Sequence, residues 1–138
     1  QSAMAVAHGL RHNTTLRVLQ LKDNQIGDEG GVALARMLKC NSTLRELDIS
    51  FNDLGPQASA ALVDALEGCN TTLLRLKMDW NPNVPLEDYN RIQFLVKANR
   101  QGRSQLALIY HMPALLPHFL HNLDASSIFY FLRQLPNR

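Results

Sequence analysis

Two aromatic residues have the type and spacing expected of a recognition site for another protein. Phe51 and Trp80 stand at the same position of two similar segments, 29 residues apart, and charged residues surround both of them. Tryptophan is enriched at the energetic centres of protein–protein interfaces. On neighbouring strands the pair would form one exposed aromatic surface. The alternative is internal packing, in which the C-terminal region or the turn at Pro82 covers Trp80.

An internal repeat determines where these residues lie. Three similar segments cover residues 15–24, 43–52 and 72–81. Their first leucines, Leu16, Leu44 and Leu73, are 28 and 29 residues apart. Apolar and polar residues alternate within each segment, which predicts a short strand with one buried face. The intervening Ala/Leu stretches have apolar residues at i, i+3 and i+4, which predicts amphipathic helices.

Stacked strand–helix units bury apolar sides that no single unit can bury, and their strands form a parallel sheet inside a curve. The outward side chains of the strands then form a ladder, which we expect to be the recognition surface. Its members are Gln20, Lys22 and Asp23 from the first strand, Glu46, Asp48 and Phe51 from the second, and Arg75, Lys77, Asp79 and Trp80 from the third. Neighbouring strands lie about 4.8 Å apart. We therefore predict lateral ion pairs of Glu46 with Arg75 and of Asp48 with Lys77.

The pattern resembles leucine-rich repeats of the ribonuclease-inhibitor-like type. The resemblance covers residues 3–81 and implies an α/β fold, a horseshoe segment of a leucine-rich-repeat solenoid. Its short parallel sheet lies on the concave face and its helices lie on the convex face. The resemblance also implies that Asn24, Asn52 and Asn81 are turn asparagines that hydrogen-bond backbone groups of neighbouring units. We expect this role to be structural and not catalytic.

The two ends of the chain differ in the way they close the solenoid. We assign leucine-rich repeats to residues 1–100 and an α-helical capping region to residues 101–138, because the last repeat of a solenoid otherwise exposes an apolar end. The chain begins at Gln1 with a helix that lacks its strand, so we expect further repeats upstream in a longer protein. The strand around Val18 is then an unpaired edge, which favours self-association through the N-terminal end.

No residue pattern predicts catalysis or a cofactor. The sequence has no Gly-rich phosphate loop, nucleophile elbow or acid/base pair. His118, His121 and Asp124 are spaced as three ligands on one helical face, but Asp124 fits better as a helix N-cap, so we assign no metal site. Fourteen Lys and Arg residues against twelve Asp and Glu residues give a net charge of +2. This balance does not require a nucleic-acid or membrane partner.

Cysteine usage favours a reducing compartment. Cys40 and Cys69 occupy matching positions at helix ends, 29 residues apart. Equivalent positions of stacked units are farther apart than a disulfide's preferred geometry. We therefore predict buried reduced thiols and a cytoplasmic, intracellular protein. The glycosylation sequons at residues 13, 41 and 70 recur at one repeat position, which favours a structural role in which Asn ends the helix and the following hydroxyls cap the turn into the strand.

We predict a non-enzymatic protein–protein interaction module that presents a rigid concave surface to another protein. Two alternatives stay open. One is a regulator of an enzyme, like the GTPase-activating and nuclease-inhibiting proteins with repeats of this type, and the other is the sensor or structural segment of a larger receptor. A regulator would project a functional side chain from a strand-to-helix loop, where only Asp28, Glu29 and Asp53 are available.

Overall fold

Strands and helices alternate along the chain. The computed structural model describes residues 2–102. The order of elements is α1 (Ser2–Leu10), β1 (Val18–Gln20), α2 (Gly27–Cys40), β2 (Glu46–Asp48), α3 (Pro56–Gly68), β3 (Arg75–Lys77) and α4 (Leu86–Arg100). This order confirms the predicted α/β solenoid. The predicted cap from residue 103 onward, with His118, His121 and Asp124, lies outside the described residues.

The three strands form one parallel sheet in the order β1-β2-β3. Leu19 pairs with Leu47, and Leu47 pairs with Leu76, so the repeat positions are in register. The flanking columns also match the prediction: Val18, Glu46 and Arg75 form one, and Gln20, Asp48 and Lys77 form the other. Each strand is only three residues long. The helices therefore supply most of the buried apolar surface.

Leucines from successive repeats form one continuous core. Leu44, Leu47 and Leu73 are buried in it, and Leu16 of the first coil packs against it while half-buried. Helices α2 and α3 pack against each other through small residues. Gly31 of α2 is so close to Ala58 of α3 that a Cβ on Gly31 would lie 2.5 Å from the Cβ of Ala58. The predicted burial of apolar sides between stacked units is confirmed.

The outer edge of β3 is covered by side chains of α4. The Nε2 atom of Gln93 donates to the carbonyl oxygen of Leu76 at 3.0 Å, and Arg100 Nη1 donates to that of Leu74 at 2.8 Å. Both carbonyls point away from β2, where another strand would otherwise pair. Covering an edge in this way protects it from pairing with other chains.

Buried asparagines fix the turn that follows each strand. Asn52 accepts hydrogen bonds from the backbone N–H groups of Asn24 at 2.8 Å and Ile26 at 3.4 Å, and it donates to the carbonyls of Leu21 and Ser50. Asn81 accepts from Asn52 and Leu54, and it donates to the carbonyls of Ile49, Met78 and Asp79. These contacts give Asn52 and Asn81 the predicted geometry. Asn24 is different, because its side chain is exposed and donates only to the carbonyl of Lys22 in its own coil.

A second asparagine ladder joins each helix end to the next strand. Asn41 accepts from the N–H groups of Thr43 and Leu44 and donates to carbonyls of the preceding coil. Asn70 repeats this arrangement one coil later. Asn99 lies 29 residues beyond Asn70 and donates to the carbonyls of Asn70 and Leu73. The recurring asparagines therefore serve the backbone, as the structural explanation of the sequons predicts.

Asp28 caps the helix of the next coil. Its carboxylate lies in the first turn of α2, and not in the loop before it as predicted. It accepts hydrogen bonds from the N–H groups of Gly55 at 3.1 Å, Ala58 at 2.6 Å and Gln57 at 3.3 Å. The N-cap residue of α3 is Gly55, which makes no side-chain cap hydrogen bond of its own. Asp28 thus satisfies N–H groups that have no partner inside α3.

An Asp28→Ala variant is expected to lose about 1 kcal/mol of unfolding free energy, the usual cost of removing a helix cap. Glu29→Ala is the matched control. It removes an equal charge from the same first turn of α2, and no hydrogen bond to α3. Urea unfolding followed by circular dichroism measures both values. Equal losses in the two variants would mean that helix charge, and not the cap, is responsible.

Candidate functional site

Phe51 and Trp80 form a stacked pair on the surface. Their ring centroids are 5.5 Å apart, and the ring planes are inclined by 20°. Phe51 is 42% exposed and Trp80 is 74% exposed. The turn at Pro82 leaves Trp80 open to solvent. A stacked arrangement of two aromatic rings is favourable beyond the area it buries, so the pair presents a single preformed apolar surface.

The backbone at the aromatic pair has an uncommon conformation. Asp23, Phe51 and Trp80 occupy the same position in successive coils, with φ values of 58°, 57° and 56°. The left-handed region costs a non-glycine residue about 1–2 kcal/mol. The sheet-like ladder nevertheless continues through this position, because Asp23 N–H donates to Ser50 O and Phe51 N–H donates to Asp79 O, both at 3.0 Å. The turn geometry therefore sets the direction of these side chains independently of core packing.

A cation lies beside the aromatic pair. The ammonium nitrogen of Lys22 is 5.1 Å from the centroid of the Phe51 ring. At an exposed site such a cation–π contact contributes about 0.5–1 kcal/mol. Because Phe51 stacks on Trp80, the three residues form a row that runs across three successive coils. We call Lys22, Phe51 and Trp80 the aromatic row.

Tyr89 at the start of α4 anchors the loop that carries Trp80. Its hydroxyl donates to Asp79 Oδ1 at 2.8 Å. This hydrogen bond is the main reason why the pKa of Tyr89 lies above its ordinary value, and burial and the charge of Asp79 act in the same direction. The phenol is therefore a stable donor at neutral pH. The hydrogen bond fixes the side chain of Asp79, the residue that directly precedes Trp80.

The strands beside the aromatic row carry the predicted charges, but only one predicted ion pair forms. Arg75 Nη1 lies 3.5 Å from Glu46 Oε1, and both side chains are largely exposed. The prediction for Asp48 and Lys77 was wrong, because Asp48 Oδ1 instead accepts from the backbone N–H of Ser50 at 3.0 Å. This hydrogen bond holds the Asp48 carboxylate against the backbone of its own coil. Within residues 2–102, Lys77 has no ion-pair partner.

Other predicted candidates divide between backbone roles and solvent. Asp28 is engaged in capping α3, and Glu29 and Asp53 are exposed. Cys40 and Cys69 are free, but the prediction that they are buried was wrong, since both are exposed. Cys40 ends α2 and Cys69 directly follows α3, and a helix end lies outside the leucine core. Residues 2–102 contain no cluster of three His, Cys, Asp or Glu side chains suited to a metal ion.

Three contacts of the site were not foreseen from the sequence. Lys22 was placed in the ladder but not over the Phe51 ring, Tyr89 was not connected with Asp79, and Asp28 was not assigned to α3. The sequence signal for Asp28 is the glycine before Pro56, because Gly55 has no side chain with which to cap α3. In the structure a Cβ at Gly55 would lie 2.8 Å from Asp28 Oδ2, so glycine leaves room for the carboxylate. The other two contacts join residues whose proximity depends on side-chain direction, and for these we find no sequence signal.

No helix among residues 2–102 is both long enough and apolar enough to cross a membrane. The family described as "Leucine Rich repeat" matches the chain over residues 12–35 and 40–62. These two ranges cover the first two coils, including Leu19 and Leu47. No curated protein sequence matches the chain.

Several solved structures are similar to the chain, including the following two. Actin-binding site 2 of leiomodin-1 aligns with a TM-score of 0.56 and 20% sequence identity, covering 82% of this chain and 80% of that chain. The tropomodulin C-terminal domain of Caenorhabditis elegans aligns with a TM-score of 0.37 and 15% identity, covering 79% of this chain and 99% of that chain, and we draw nothing from it. At these identities the likeness to leiomodin-1 concerns the fold alone. The repeated sequence, the family match over residues 12–35 and 40–62 and the observed solenoid together show that residues 2–102 have a leucine-rich-repeat fold.

Proposed function

We propose that the solenoid is a protein-binding module whose contact surface is centred on the aromatic row. The observation that carries the proposal is the exposure of Trp80, at 74%, while it is stacked on Phe51 and held on a rigid turn. A preformed surface loses little conformational entropy on binding. The flanking residues Asp48, Glu46, Arg75 and Lys77, with Gln20, Asp23 and Asp79, would form the polar rim that surrounds such a centre.

The chemistry of the row indicates what a partner would present. An apolar side chain of the partner would cover the indole face of Trp80. Lys77, which has no ion-pair partner within residues 2–102, is available to a carboxylate. Because Trp80 is the only tryptophan in the chain, its fluorescence reports directly on occupation of this surface.

Trp80→Ala is expected to weaken binding of a partner about tenfold or more, the lower range for a central aromatic contact. The partner is first captured with the full chain and then purified, and its affinity is measured by calorimetry. Quenching of the wild-type Trp80 emission by acrylamide should fall when the partner is bound. The melting temperature of Trp80→Ala should remain close to that of the wild type, because most of the side chain faces solvent.

Leu86→Ala is the matched control, because Leu86 is 73% exposed but does not belong to the aromatic row. Its affinity should equal that of the wild type. If Leu86→Ala and Trp80→Ala weaken the partner equally, general surface hydrophobicity and not the aromatic row carries the interaction. A large fall in melting temperature for both Trp80→Ala and Phe51→Ala would instead make the aromatic pair a packing element.

Actin is the first purified protein to test, since the similar leiomodin-1 structure is an actin-binding site. The low identity makes this a choice of probe and leaves the partner of this chain open. The enzyme-regulator alternative has less support, because the Asp28 carboxylate already accepts hydrogen bonds from α3 and is not available to a partner. Two exposed free thiols favour a reducing, intracellular site of action.

A further inference from the structure

A groove separates α1 from α2, away from the aromatic row. It has a volume of about 320 Å³, which is at the lower end of the range of about 300–1,000 Å³ typical of small-ligand sites. Its lining includes the buried side chains of Ala7 and Met37, and Met4 lies in it half-exposed. The groove is therefore apolar in part and open to solvent.

Apart from Ala33, the remaining side chains of the groove are basic or nucleophilic. His8, Arg11, Arg36 and Lys39 line it together with the Cys40 thiol, and none of the lining residues is acidic. Lys39 is paired with Asp64 of α3. Within residues 2–102, Arg11 and Arg36 form no ion pair. Two guanidinium groups in one groove attract an anion.

The Cys40 sulfur lies among these charges. Arg11 Nε donates to Cys40 Sγ at 3.4 Å. Cys69 is equally free and exposed, at the equivalent position of the next coil, but it does not line this groove. Its electrostatic neighbour is Lys39, whose charge is balanced by Asp64. The cationic groove, and not the presence of a thiol, distinguishes Cys40 from Cys69.

We propose that the α1–α2 groove binds anionic peptide thiols and that Cys40 is modified there by their disulfides. The Cys40 sulfur, after losing its proton to solvent, attacks one sulfur of the bound disulfide. A new S–S bond forms to Cys40, the original S–S bond breaks, and the second thiol leaves as a thiolate. No other oxidant is needed, because the incoming disulfide is itself reduced. The guanidinium groups of Arg11 and Arg36 bind the carboxylates of the incoming peptide.

The test compares two disulfides on the full chain, with glutathione disulfide as the anionic probe and 2-hydroxyethyl disulfide as the neutral one. Cys69→Ser leaves Cys40 as the only thiol, and Cys40→Ser leaves Cys69. Intact-mass spectrometry follows the rate of mixed-disulfide formation at low salt. At a separation of several ångströms in water, each cation accelerates an anionic reagent about threefold. The ratio of Cys40 rate to Cys69 rate is therefore expected to be about tenfold higher with the anionic probe.

Arg36→Gln in the Cys69→Ser background separates charge from structure. It should slow the reaction with glutathione disulfide about threefold and leave the neutral reaction unchanged, and high salt should remove the difference by screening. The proposal is overturned if the Cys40 to Cys69 rate ratio is the same for both disulfides. It is also overturned if Arg36→Gln slows both reactions equally, since that result would indicate a structural effect.

Discussion

Asn52→Ala is expected to remove about 3 kcal/mol from the free energy of unfolding. The Asn52 side chain is fully buried and makes four hydrogen bonds to backbone groups of two coils. Alanine leaves these donors and acceptors in an apolar surrounding without partners, and each unsatisfied buried group costs about 1–3 kcal/mol. Some relaxation and access of water lower the sum. Urea unfolding of the full chain, monitored by far-ultraviolet circular dichroism, measures the loss.

Asn24→Ala is the matched control for this prediction. Asn24 has the same repeat position, but its exposed side chain makes a single hydrogen bond, to Lys22 O. The expected loss is below about 0.5 kcal/mol, as for a surface substitution. If both variants lose the same free energy, the asparagine acts through local turn propensity and the ladder between coils contributes little. An Asn52→Ala variant as stable as the wild type would contradict the ladder altogether.

Gly31→Ala is expected to destabilise the protein by about 2 kcal/mol, although alanine is the better helix former. Gly31 lies in the interior of α2, where the propensity change alone would stabilise by about 1 kcal/mol. The added Cβ would lie 2.5 Å from Ala58 Cβ and 2.8 Å from Leu54 Cδ2. Ala58 has no side-chain torsion with which to move away, so α2 and α3 must separate. Overpacking costs about 1–3 kcal/mol, and the two close contacts place Gly31→Ala at the upper end of this range. A net loss of about 2 kcal/mol remains after the gain in helix propensity.

Gly9→Ala tests the propensity contribution separately. Gly9 lies in α1, and a Cβ on it would have no neighbour within 4 Å. Its expected effect is neutral to stabilising by up to about 1 kcal/mol. In thermal and urea unfolding, Gly31→Ala should therefore lower the stability of the protein, and Gly9→Ala should leave it unchanged or raise it. A stabilising Gly31→Ala would show that the two helices tolerate a larger separation than the structure indicates.

Most of the fold could be predicted because the same pattern of apolar and polar residues occurs in three successive segments. Leu19, Leu47 and Leu76 are in register, since each is the core-facing leucine at the same position of a similar segment. The helix starts at Pro56 and Leu86 also follow from local chemistry. The strands proved shorter than the apolar–polar alternation suggests, because the backbone turns at Asp23, Phe51 and Trp80, where φ is positive. Asn52 and Asn81 hold these turns through hydrogen bonds to backbone groups.

Exposure was less predictable, because it depends on what lies beyond a residue and not on its own type. The cysteines illustrate this point. Cysteine is a residue type that is often buried, yet Cys40 and Cys69 are both exposed at helix ends. Trp80 shows the reverse case, since a large aromatic residue that could be internal is open to solvent. The binding role of the ladder residues stays a prediction that the Trp80→Ala experiment addresses.

By itself, the sequence determined the alignment of the coils within residues 2–102 and the identity of the residues that line up across them. Leucine and asparagine periodicity suffices for this, because burial and backbone satisfaction impose the same requirement on every coil. Only the tertiary structure decided which long side chains meet: Lys22 over Phe51, Asp28 at the start of α3, and Arg11 against Cys40. Each of these contacts joins different coils, and side-chain direction and local backbone conformation, which the periodicity does not specify, determine whether the atoms come within reach.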